Sequence, residues 1–391
     1  MSQARRARGA VAAIFLLNGF LFASWATRIP AVRDRLDLSD GQLGLALACI
    51  PLGAVLAMPV AGALAVHVGS RRATRLSFLL SCLTTGVVAL APSLGVLAML
   101  ALLLGVAMGS LDVTMNVHGV AVERRYDRPI LSSFHAGFSF GGLLGAAVAA
   151  VVASAGLDVR LHLVAVAVLS GVVGLAWSQR FLPGSEDATA HREPVFRRPP
   201  RRLWSLGALA FACLLIEGAA ADWSGVYLDD ELDTGGGFAA LGFTAFSITM
   251  TLGRVFGDRL VRHFGARRLV RAGGAIAAGG FGAALLIGTP AAALVGFACL
   301  GAGMSSVVPI VFRSAGEAPG IATGVAVAAV STIGYMGFVV GPPLIGGIAE
   351  LSGLPAALGL LVLLGGAVSA LATAVAVREP HSAAEPKVVP A

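Results

Sequence analysis

Four polar side chains, Asn18, Asp112, Asn116 and Glu217, stand in stretches that are otherwise apolar. Asp112 and Asn116 are four residues apart, a spacing that on a helix advances about 400° and sets both on one face. A charged carboxyl in such surroundings is costly, so its presence points to a use, and the chemistry it suits is the loading and release of a proton. A structural carboxyl bonded to neighbouring helices is the alternative. The two amides suit hydrogen bonds to a polar solute or, equally, between helices. Arg254 and Asp258 share the four-residue spacing and are expected to pair on one helix. The ring of His135 can change charge near neutral pH, as a gate requires, although a buried interhelical donor would look the same in sequence. Asp222, beside Trp223 and Tyr227, reads as an outer gate or an interfacial anchor.

Other chemistries find no support. The four cysteines (Cys49, Cys82, Cys213, Cys299) lie in apolar runs without metal-ligand or redox spacing. Gly105-x-x-x-Gly109 has no strand before it and no lysine after it, so it is a helix contact and not a phosphate loop. We therefore expect no metal, no cofactor and no enzyme.

The elements that must carry these residues follow from composition. Of 391 residues 57% are hydrophobic and 13% charged, against about 25% charged in a soluble chain. The apolar residues fall into long runs without a period of two, and backbone groups in hydrocarbon must be paired within their own segment, so the runs are helices. They recur near 9–28, 42–67, 73–91, 95–121, 130–155, 160–178, 203–222, 238–260, 269–288, 291–312, 320–348 and 354–377. The start resembles a signal peptide, with Arg5, Arg6 and Arg8 before an apolar run, but the run is long enough to span and is read as the first helix. The expected fold is an all-α membrane protein of twelve transmembrane helices in two pseudo-symmetric six-helix bundles. Residues 1–178 form the first bundle, 179–202 a polar linker, 203–377 the second bundle and 378–391 a tail.

Charge sets the expected orientation. With the N-terminus inside, 23 of the 28 basic residues fall in the tails and the loops on that side, so both termini are placed in the cytoplasm. Asp229, Asp230, Glu231 and Asp233 fall together in an outer loop. The basic residues form no long stretch interleaved with aromatics, so no nucleic-acid partner is expected.

An internal repeat joins the halves. The offset that carries Gly69 onto Gly265, 196 residues, also carries Arg71, Arg72 and Arg75 onto Arg267, Arg268 and Arg271. It further sets Leu104, Gly105, Met108 and Ser110 on Leu300, Gly301, Met304 and Ser306, and Gly141 and Gly145 on Gly337 and Gly341. Paired repeats of this kind hold a binding site at the interface between them.

The segment from Gly62 through Val66 and Gly69 to Arg71 and Arg72 resembles the signature loop of the major facilitator superfamily, with its second copy at Gly257-Asp258-Arg259 and Gly265-Ala-Arg267-Arg268. Within it the chain is similar to a bacterial branch related to fucose permease. The residues concerned are Asn18-Gly19, Trp25-x-x-Arg28-x-Pro30, Asp112-x-x-x-Asn116-x-His118-Gly119 and Ser132-x-x-His135-x-x-x-Ser139-x-Gly141-Gly142. Val66 departs from the family, which usually has an acidic residue there, and Ala101 stands where drug exporters of the family carry an arginine.

The resemblance implies a secondary transporter that moves a small polar, sugar-like solute by alternating access with protons, as a monomer in the bacterial cytoplasmic membrane. Proton-driven efflux of a drug or amphipathic metabolite is the alternative, and a non-transporting receptor or scaffold the reading from another class. It implies that the first, fourth, seventh and tenth helices line a cavity. Asn18, Asp112 and Asn116 are then substrate-binding candidates, Asp112 and Glu217 proton-coupling candidates, and His135, Arg254, Asp258, Arg71 and Arg72 gating candidates.

Overall fold

The computed structural model describes residues 3–126, 128–183, 201–234 and 236–375. Among them every regular element is helical. The first half comprises α1 (Gln3–Leu36), α2 (Asp40–Val68), α3 (Ser70–Val88), α4 (Leu94–Tyr126), α5 (Leu131–Ser154) and α6 (Val159–Ser178). The second comprises α7 (Arg201–Val226), α8 (Gly236–Phe264), α9 (Ala266–Ile287), α10 (Pro290–Met304), α11 (Val307–Gly316), α12 (Thr323–Ser352) and α13 (Leu354–Leu371). α10 and α11 together make one span, so the halves have six spans each. Ten spans are long and apolar enough to cross a bilayer by length and composition. The other two are α3, with Arg71, Arg72 and Arg75 in its first turns, and α8, which carries Arg254, Asp258, Arg259 and Arg262. The predicted tail and most of the predicted linker lie outside the described residues, although Phe181 and Leu182 at the linker's start are buried in the first half.

The helices begin and end on recognisable signals. Ser39 and Gln42 form a capping box at the start of α2, and the Asp158 carboxylate accepts from the Arg160 amide at 2.7 Å to start α6. Gly69 and Gly265 turn the chain at φ +82 and +81, conformations that side chains rarely adopt, and the two turns stand at equivalent positions of the repeat.

Packing repeats as well. α1 pairs with α5 and α2 with α4, as α7 pairs with α12 and α8 with α10. Gly105 lies so close to the carbonyl of Ile50 that a methyl group there would strike it. Gly301 lies in the same way against Phe246, which the offset carries from Ile50. Small residues at these crossings let the backbones meet without side chains between them.

Two expectations need correction. The tenth span is not one helix over 291–312 but breaks at Ser305–Ser306. Pro309 has no N–H to give the carbonyl four residues back and its ring crowds that carbonyl; at the equivalent place in α4 stands Val113, and α4 runs unbroken. The buried Cys213 thiol donates to the Met304 carbonyl at 3.6 Å beside this break. Three of the four acidic residues predicted for an outer loop are also helical, Asp233 alone lying beyond the turn. α7 continues into a π-helical turn over Tyr227–Glu231 that carries Asp229, Asp230 and Glu231, anchored by the buried Tyr227 and Leu228.

The halves meet along α5 against α8 and α2 against α12, with α11 touching α4 and α5. Every hydrogen bond and ion pair described below that joins the halves lies at mid-depth or toward the end holding the Gly69 and Gly265 turns. That end carries most of the arginines.

Candidate functional site

Between the middle of α4 and the second turn of α5 the first half presents a chain of polar groups. The Asn116 amide donates to the Asp112 carbonyl at 2.8 Å and to its carboxylate at 3.4 Å, as their common helical face requires. With its NH₂ so committed, Asn116 Oδ1 accepts from His135 Nε2 at 3.2 Å. His135 is buried, its ring edge-on to Phe15 at 5.2 Å and 6.2 Å from Phe312 of the other half. Asp112 is half-buried.

The second half faces this chain with Glu217, Arg254 and Tyr335. Glu217 Oε2 lies 3.5 Å from Arg254 Nη2, and Arg254 Nη1 donates across the seam to Ser139 Oγ at 2.9 Å. Tyr335 on α12 is within electrostatic reach of both Asp112 and Glu217, its ring edge-on to Phe338 at 5.7 Å. Two carboxylates, a phenol and an imidazole are thus carried by helices on the two sides of the seam, and the guanidinium among them is already engaged by Glu217. Asn18 stands apart from this chain. Its Nδ2 meets the Met115 sulfur at 3.8 Å, while Oδ1 is buried without a partner among the described residues.

The second cluster lies at the arginine-rich end. α5 begins at Ile130, which has no side-chain oxygen for a cap, and four amides there lack helical acceptors. Two carboxylates take all four. Glu123 Oε2 accepts from the Ile130 and Leu131 amides at 2.7 and 3.0 Å, and Asp258, from the other half, accepts from Ser132 and Ser133 at 3.0 and 2.9 Å. Glu123 Oε1 also pairs with Arg313 Nε across the seam, and both side chains are largely buried. Arg124 adds bonds to the Gly316 carbonyl and, at 3.0 Å, to Thr323 Oγ1. On the other side of the molecule Gly62 packs directly on Gly324 and Ala328 of α12, with no room for a side chain.

The Arg254–Asp258 pair expected from spacing does not form. Each residue has a better tertiary partner, Glu217 with Ser139 for the arginine and the start of α5 for the aspartate. Arg71 and Arg72 open α3 behind Gly69, and neither makes an ion pair or hydrogen bond to the second half among the described residues. Arg75 instead ties α3 to α6 through the Ser178 carbonyl at 2.7 Å. Asp222 is exposed.

Sequence reasoning did not single out Glu123, Arg313, Ser139 or Tyr335 as site residues. For Tyr335 a signal was present, because the repeat offset carries Ser139 onto it. For Glu123 and Arg313 none was, since 190 residues separate them and only the docking of the halves joins them.

Comparison with known proteins places these features in context. The family model described as Major Facilitator Superfamily matches residues 11–326 and 225–391. An MFS-type transporter of Yersinia pestis is 37% identical over 92% of this chain and 94% of its own. The structure of an MFS transporter, FucP, in the outward conformation superposes with a TM-score of 0.80, covering 95% of this chain and 99% of that one at 15% identity. That of a singly substituted form of the E. coli fucose:proton symporter FucP gives 0.73, over 94% and 97% at 14% identity.

Proposed function

The chain belongs to the major facilitator superfamily and is a multi-pass membrane transporter, and from that premise we propose that it moves a small polar, sugar-like solute by alternating access, coupled to protons. The observation that carries this reading is the first polar cluster. Asp112 with Asn116 and His135 in one half stands opposite Glu217 and Tyr335 in the other. A site shared between two bodies changes its exposure when they rock, and a carboxyl in it takes up a proton on one side and releases it on the other. Its polar lining favours a hydroxyl-rich cargo over an amphipathic one, and the likeness of fold to a fucose:proton symporter agrees.

Orientation follows from charge. The arginine-rich end faces the cytoplasm, with both termini inside and the bilayer that of the bacterial inner membrane. Since the links between halves cluster at that end, the conformation opens outward, in agreement with the resemblance to FucP in its outward conformation. Asp112 and Glu217 carry the proton, Asn18 with its unpartnered oxygen contributes to solute binding, and Asn116 orients Asp112 and His135 beside it. Arg254, His135 and Asp258 gate, Arg71 and Arg72 support the gate from the turn behind it, and the transporter works as a monomer.

Purified protein in liposomes, given a panel of radiolabelled hexoses, deoxyhexoses and polyols, is expected to accumulate at least one of them under an imposed pH gradient. Asp112→Asn is expected to abolish gradient-driven accumulation and leave exchange at equilibrium. Undiminished accumulation in Asp112→Asn would remove the coupling role, and a panel that is never transported would remove the sugar-like cargo.

A further inference from the structure

Arg313 and Asp258 belong to the same half, line one narrow cleft with Leu131, Ser132, Val261, Pro309 and Ile310, and are within electrostatic reach of each other. They form no ion pair with each other; both spend their charge across the seam, Arg313 on Glu123 and Asp258 on the Ser132 and Ser133 amides. Separating the halves at this end strips both of their partners at once. Glu123 would lose only the arginine, because its other oxygen stays on the Ile130 and Leu131 amides of its own half. The freed α5 amides would face a water-filled opening, where solvent satisfies them. Arg313 and Asp258 would be left as opposite charges on neighbouring helices of one body.

We propose that Arg313 and Asp258 exchange partners when the seam opens. Arg313 leaves Glu123, Asp258 leaves the start of α5, and the two pair with each other. This rests on the alternating-access reading above and adds to it the residues that compensate charge in the second state. The exchange keeps every charge partnered in both conformations, which lowers the barrier that two uncompensated charges would impose. Other charged groups stand nearby, and the cycle described below separates the Arg313–Asp258 coupling from their contributions. Arg254, one turn before Asp258, already has a carboxylate partner in its own half, Glu217. Glu317, one turn after Arg313, is partly exposed and also attracts Arg313 in this conformation, and Arg262, whose Nε donates to the Asp258 carbonyl, is exposed. His135 is committed to Asn116.

A double-mutant cycle on the seam equilibrium tests this. Spin labels at the exposed positions 67 and 263, one in each half, report the open and sealed populations of the full chain in nanodiscs by pulsed electron resonance. The open-to-sealed ratio is measured for the unsubstituted chain, Arg313→Gln, Asp258→Asn and the double variant. If the pair exists only in the open state, the first and last ratios multiplied, divided by the product of the two single-variant ratios, exceed one by roughly tenfold, a coupling typical of charges in contact. A quotient of one means two independent seam contacts, and a quotient below one places the pair in the sealed state; either overturns the exchange. Should Arg313→Gln not assemble, Arg313→Met keeps the buried stem and completes the same cycle. A single fixed distance in the unsubstituted chain would sink alternating access itself and the exchange with it, whereas two populations with a quotient of one leave alternating access standing.

Discussion

The two seams between the halves are related by the internal repeat, yet they are built on opposite principles. The offset that carries Gly69 onto Gly265 also carries Gly62 onto Asp258 and Ser132 onto Ala328. At one seam, Asp258 reaches over and accepts from the backbone at the start of α5. At the other, Gly62 lets α2 press on the start of α12, and Ala322, the residue before that helix, supplies no cap. One ancestral contact has thus become a charged clasp on one side and a steric fit on the other. Duplication preserves the backbone path because helix crossings tolerate little change, whereas the side chain at one position can diverge while the crossing survives. A clasp of carboxylates on amides responds to charge, and a fit of glycine on glycine responds to volume.

The largest expected effect breaks the charged side. Glu123→Ala leaves Arg313 largely buried without its carboxylate and bares the Ile130 and Leu131 amides. Removing one member of a buried pair costs about 3–5 kcal/mol. We expect the sealed population to fall steeply and hydrogen exchange to accelerate at Ile130 and Leu131 while the start of α12 is unchanged. Exchange that accelerates equally at both helix starts would show that the seams are not independent. The steric side breaks next. Gly62→Val places a branched side chain where Ala328 and the Gly324 backbone already sit. Overpacking of this kind costs about 1–3 kcal/mol, and here it falls on the sealed state alone, so spin-label distances should lengthen with the fold intact. Unchanged distances would mean that α12 yields and that the fit is not a lock.

How much of this was legible beforehand depends on the range of the interaction. Helices, repeat and the Gly69 and Gly265 turns were readable because hydrocarbon forces backbone pairing within each segment and a sharp turn needs glycine. The common face of Asp112 and Asn116 was readable from helical period alone, and the hydrogen bond between them realises it. The break at Ser305–Ser306 was announced by Pro309 and passed over, because the surrounding run is apolar enough to read as one span. The Arg254–Asp258 pair went astray for a different reason. A four-residue spacing gives the default partner on an isolated helix, worth only about 0.2–0.5 kcal/mol, and any tertiary partner in good geometry displaces it. Whether such a partner exists depends on how two bundles dock, which no local pattern records.

The smallest effect sharpens the comparison, because it gives the steric seam the device its counterpart already has. Ala322 is extended, at φ −61 and ψ 133, as a capping residue should be, but its methyl accepts nothing. Ala322→Ser would supply an oxygen to the first free amides of α12, a gain of about 0.5–1 kcal/mol. The cap and the helix belong to the same half, so the gain is present whether the seam is open or sealed. Thermal unfolding in detergent should therefore shift upward by a small amount while the spin-label populations at positions 67 and 263 stay as they were. If the populations shift instead, the amides at the start of α12 change partners during rocking, and the two seams are more alike than their residues imply.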